Sequence, residues 1–85
     1  MDKKYTILIA NRKGHETVMD LDIEQAAEQV IKTAEETKRQ VYINGQAFEF
    51  AGSDLRAQNN IDKLKIALNE AEDTTVVLTP VMVGG

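Results

Sequence analysis

The sequence predicts an α+β fold built on one mixed sheet, and three observations carry that prediction. Short runs rich in β-branched residues open and close the chain. Two further β-rich runs flank an Asn-Gly pair at its middle. Two longer stretches carry apolar residues at helical spacing. Together they give the order β-β-α-β-β-α-β, with strands at both ends. Eighty-five residues make one domain, 1–85, and the 42% hydrophobic content fills one modest core if it is patterned. No internal repeat, linker or low-complexity segment interrupts it.

Tyr5-Thr6-Ile7-Leu8-Ile9-Ala10 is short and aliphatic, which favours a strand over a helix. Asn11-Arg12-Lys13-Gly14-His15 supplies polar turn chemistry, and Glu16-Thr17-Val18-Met19-Asp20-Leu21 alternates as the returning strand of a hairpin. His15, beside the turn, reads as an exposed loop histidine; no second histidine joins it to make a ligand set or proton shuttle.

Asp22 and Gln25 form a capping-box pattern, and Ile23, Ala26, Ala27, Val30, Ile31 and Ala34 follow on one helical face. Glu24 and Glu28 suit the positive end of the helix dipole, and Lys38 and Arg39 the negative end. The prediction is a helix over 23–39. Its carboxylates, with Glu35 and Glu36, read as a solvated face, since nothing beside them forms a pocket or raises a pKa.

Asn44-Gly45 between Val41-Tyr42-Ile43 and Gln46-Ala47-Phe48-Glu49-Phe50 is a strong short hairpin signal. Tyr42, Phe48 and Phe50 make this the aromatic centre, and core packing is preferred to a ligand platform. Residues 51–60 are loop-like, with Asn60 placed to cap a second helix over 61–71. That helix carries Ile61, Leu64, Ala67, Leu68 and Ala71 on one face. The last strand opens at Thr74 or Thr75.

Composition removes several functional classes. The chain has no cysteine and one histidine, so thiol chemistry, disulfides and most metal or triad sets are out of reach. A net charge of −4 disfavours nucleic acid as a partner. No apolar run approaches a membrane span, and Met1-Asp2-Lys3-Lys4 lacks a secretory core, so a cytoplasmic protein is expected.

Two hairpins separated by a helix, then a last strand, fit a sheet whose first and last strands lie parallel in the middle, with a helix across one face. That is the β-grasp, or ubiquitin-like, architecture. A ferredoxin-like sandwich fits less well, because hairpins stand where it has single strands.

Val41-Tyr42-Ile43-Asn44-Gly45-Gln46-Ala47-Phe48 resembles the "V-x-V-N-G-x-x-V" strand-turn-strand of the MoaD/ThiS sulfur carriers. Thr75-Val76-Val77-Leu78-Thr79-Pro80-Val81-Met82-Val83-Gly84-Gly85 resembles the same family's "D-x-V-x-x-x-P-x-x-x-G-G" ending. The motifs cover about a quarter of the chain, the rest matching as order of elements. The helix over 61–71 replaces the family's short "L-x-D-G-D-x-V" turn, so the general ubiquitin-like carrier class fits better than either pathway. Phage tail-assembly proteins have this kind of domain with a similar "V-x-x-x-P-V-x-x-G" ending.

The resemblance implies a carrier with no catalytic residue and no bound cofactor or metal of its own. A partner adenylating enzyme would use ATP to activate the Gly85 carboxylate, for sulfur transfer or for conjugation to an acceptor protein. Gly84 and Gly85, without Cβ atoms, would thread a narrow channel. Pro80, Val81, Met82 and Val83 would be the lead-in, with Pro80 stiffening it and stopping strand pairing. Exposed sheet residues and the acidic charge would supply docking area. The alternative is a non-conjugating ubiquitin-like interaction module, for example of the phage tail-assembly type.

Overall fold

Period-two alternation along the central strands decides which face of the sheet is covered. The structure, a computed structural model, describes residues 3–11, 14–36 and 38–80. The chain runs β1 (Tyr5–Asn11), β2 (Gly14–Leu21), α1 (Ile23–Glu36), β3 (Arg39–Ile43), β4 (Gln46–Phe48), α2 (Gln58–Glu70) and β5 (Thr75–Pro80). The strands lie in the order β2-β1-β5-β3-β4. β1 and β5 are parallel and every other pair is antiparallel. The α+β class and the mixed sheet agree with the expectation, as does the central parallel pair of first and last strands.

Tyr5, Ile7 and Ile9 of β1, Val76 and Leu78 of β5, Val41 and Ile43 of β3 and Phe48 of β4 are buried in one cluster with both helices. The sequence reading put one helix across that face; α2 joins α1 there, through the fully buried Leu64 and Leu68. Tyr5, 1% exposed, fastens the two layers: its hydroxyl donates to the Leu68 carbonyl at 2.9 Å. It is a more buried aromatic than the three expected to lead the core. Phe48 is buried and Phe50 half-buried against it, edge-to-face at 5.2 Å, while Tyr42 lies on the other face of the sheet.

The capping box at α1 is present in both directions. The Gln25 N–H donates to Asp22 Oδ1 at 2.8 Å and the Asp22 N–H to Gln25 Oε1 at 3.1 Å. The far end differs from the expectation of a helix through Arg39. α1 stops at Glu36, and Arg39 already begins β3, opposite Pro80 of β5. Pairing with β5 claims the backbone there, so Lys38 and Arg39 do not serve the helix dipole.

α2 also begins earlier than expected, at Gln58, and Asn60 is not its cap. Asn60 is fully buried within the first turn and reaches back into the loop: it accepts from the Ala51 N–H and donates to the carbonyls of Ala51 and Asp54, all within 2.8–2.9 Å. A buried amide with its bonds made can specify a loop conformation that composition alone leaves open. At the other end Lys3 Nζ donates to the carbonyls of Asn69 and Ala71, meeting the helix's negative pole.

The second hairpin turns as the Asn-Gly pair requires. Asn44 and Gly45 have φ of 55° and 78°, the paired positive values of a two-residue type I′ turn, which asparagine and glycine adopt most easily. β4 ends at Phe48, two residues short of the expected strand, and β2 begins at Gly14, two residues earlier than expected. β2 carries a bulge: Tyr5 opposes Leu21 but Ile7 opposes Val18, and Asp20 takes φ of 60°.

Candidate functional site

The open face of the sheet and the end of β5 form the candidate site. Residues opposite one another in a sheet share a face, so strand register gives the open face directly. Thr17, Leu8, Val77, Tyr42 and Ala47 stand in one row across β2, β1, β5, β3 and β4. Thr6 and Thr75 flank it on one side; Gln40 and Thr79, with Ala10 and His15, flank it on the other. None of these side chains carries a carboxylate, ammonium or guanidinium, although 28% of the chain is charged. Leu8, Val77 and Tyr42 are half-buried by their neighbours and form a shallow apolar strip. His15 lies beside the turn as expected, exposed, but as part of β2 at the margin of this face and not of a loop.

Pro80 is the last residue of β5 and is exposed there. Among the described residues the pairing of β5 with β1 reaches to Leu78 opposite Ile9, while Thr79 and Pro80 pair with β3. Proline, which has no N–H to donate, suits such a position. Val81, Met82, Val83, Gly84 and Gly85, the remaining residues expected to form the lead-in and the reactive end, lie outside the described residues.

On the helix-covered side of this sheet end is a polar cleft of about 260 Å³, lined by Glu16, Gln29, Lys32, Thr33, Glu36 and Arg39 with Ile9 and Asn11. Arg39 is its anchor. Its Nη1 donates to the Ala10 carbonyl, and its Nε is buried without a hydrogen-bond partner. Cations and carboxylates are mixed here, so the cleft has no single sign with which to select a charged ligand.

The carboxylates of α1 have the role of a solvated face. Arg56, from the loop before α2, donates to Glu28 at 2.8 Å and Glu35 at 2.9 Å, and Lys65 lies 3.6 Å from Glu24. The hydrogen bonds to Glu28 and then to Glu35 hold the Arg56 guanidinium above its usual range. Among the described residues no three His, Cys, Asp or Glu side chains gather as metal ligands. Among the described residues no helix is long and apolar enough to cross a membrane.

Sequence reasoning identified exposed sheet residues as docking area without saying which. The missing signal was the run of uncharged residues at alternate positions, legible only once register is known. Comparison with protein-family models, curated proteins and solved structures finds no match to this chain.

Proposed function

We propose that this chain is a small β-grasp, ubiquitin-like carrier whose working group is the Gly85 carboxylate. A partner adenylating enzyme activates it for sulfur transfer or for conjugation to an acceptor protein. The observation that carries the reading is the placement of β5. It lies at the sheet centre, parallel to β1, and ends at Pro80, immediately before Val81-Met82-Val83-Gly84-Gly85. The strand order, with helices on one face only, supports the β-grasp assignment.

In this reading a carboxylate oxygen of Gly85 attacks the α-phosphorus of ATP on the partner, and pyrophosphate leaves. Sulfide or an acceptor amine then attacks the acyl carbon, and AMP leaves. The carrier contributes no acid, base or metal. Its part is to dock and to present the chain end. The uncharged strip of Leu8, Val77 and Tyr42 provides a surface that a partner desolvates cheaply, since no ionic group there must lose water. Gly84 and Gly85 let the end enter a closed nucleotide site.

The test is incubation of the protein with adenylating enzymes of the sulfur-carrier type, ATP and sulfide. The intact mass is expected to shift by the oxygen-to-sulfur exchange, or high-mass conjugates to appear in lysate. Deleting Gly85 abolishes either outcome; activity that survives the deletion sinks the reading. The open face favours a second reading, a non-conjugating interaction module. In that case a partner binds the truncated chain as well as the full one, and Tyr42→Glu, not the deletion, removes binding.

A further inference from the structure

β4 is the outermost strand on its side of the sheet. The type I′ turn makes Ile43 and Gln46 a hydrogen-bonded pair, so the antiparallel ladder turns the N–H and C=O of Ala47 outward. Among the described residues no further strand or backbone bond covers that edge. Beside it α2 walls a groove of about 290 Å³. Its floor is Ile43, Phe48, Ala67 and Ala71, and its rim carries Gln46 and Glu70. An unpaired edge beside an apolar floor is what strand addition requires: main-chain bonds on one side and a seat for alternate side chains on the other.

The charge around the groove selects its occupant. Glu70 is on the rim, and the Asp73 N–H bond to the Asn44 side chain, 3.2 Å, brings a second acidic residue near the groove, its Oδ1 accepting from the Thr75 N–H at 2.9 Å. Glu49 and Glu72, both exposed, follow Phe48 and Ala71 in the chain. Two nearby lysines are engaged. Lys63 Nζ lies 5.6 Å from the Phe48 ring centroid and donates to the Glu49 carbonyl, and Lys3 holds the carbonyls of Asn69 and Ala71. The opposite edge differs: β2 carries a bulge at Asp20, and the groove beside it, lined by Leu21, Glu24, Gln25, Glu28, Gln29 and Lys32, mixes both signs of charge.

We propose that the β4–α2 groove takes a short extended segment of a partner protein, added as a strand beside β4. That segment has one aliphatic side chain over Phe48 and Ala67 and basic residues at its flanks. The groove lies at the opposite end of β3 from Arg39 and Pro80, so the proposal stands whether or not the chain end is activated.

The experiment is an NMR titration of the full chain with the peptide acetyl-Lys-Val-Leu-Val-Lys-amide. Two control peptides accompany it: one with both lysines replaced by glutamate, and one N-methylated at the leucine and at both valines. Saturable shifts are expected at the amides of Ala47, Phe48, Ala67 and Glu70, with slowed exchange of the Ala47 amide. Glu70→Lys weakens binding by about threefold, as a rim charge does, and N-methylation by about tenfold through the lost main-chain bond. The proposal is overturned if the basic peptide leaves those amides unshifted or shifts β2 instead. Equal binding of the glutamate or N-methylated peptide overturns it too.

Discussion

Along β1 the odd-numbered residues Tyr5, Ile7 and Ile9 are buried beneath two helices, while Thr6, Leu8 and Ala10 between them stay half-exposed on the other face. One strand thus serves two purposes one residue apart. On the covered face each side chain is closed in by α1 or α2, so removing atoms leaves a cavity. On the open face the same removal leaves water. The covered face therefore sets stability and the open face is available for recognition, and each can be altered with little effect on the other.

The largest effect expected from that contrast is at Leu68, fully buried between α2 and the sheet. Leu68→Ala costs about 3 kcal/mol in urea unfolding, whereas Leu8→Ala costs under about 1 kcal/mol. Equal costs would mean that something covers the open face in solution. Asn60→Ala comes next at about 2 kcal/mol, because a buried side chain is lost and the Ala51 N–H and two carbonyls lose their partner. A loss as small as that of an exposed asparagine would show that the loop repairs itself.

Tyr5→Phe removes the bond to the Leu68 carbonyl and costs about 1 kcal/mol at neutral pH. Burial raises the Tyr5 pKa above the ordinary 10.0, so the folded state holds that proton more tightly than the unfolded state. The stability this contributes is complete below pH 10 and declines as pH rises above it. Urea midpoints of the parent should fall above pH 10 more steeply than those of Tyr5→Phe; parallel curves would refute the assignment. The smallest effect is expected at Arg56. Its bridges to Glu28 and Glu35 lie in solvent, and Arg56→Ala should leave the midpoint nearly unchanged in high salt.

Elements with a local cause were legible in the sequence. The Asp22–Gln25 box starts α1 where expected, and the Asn44-Gly45 turn closes its hairpin, because both signals act within four residues. The errors fell where a distant partner competes. Arg39 looked like the end of a helix, but β5 draws it into the sheet opposite Pro80. Asn60 looked like a cap, but burial and the carbonyls of Ala51 and Asp54 claim its side chain. Of the candidate site, Pro80 was legible as the end of a strand. The row of Leu8, Val77 and Tyr42 was not, since its members lie as far as 69 positions apart.

By itself the sequence determined the α+β class, the capped first helix, the tight second turn and the diglycine that follows the last strand. These follow from periodicity, turn chemistry and residue identity, which need no partner element. Only the tertiary structure decided that α2 shares a face with α1 and that the uncharged Leu8, Val77 and Tyr42 stand together on the opposite face. It alone placed a groove beside β4. Those features depend on register and packing between segments far apart in the chain, and no local rule specifies them.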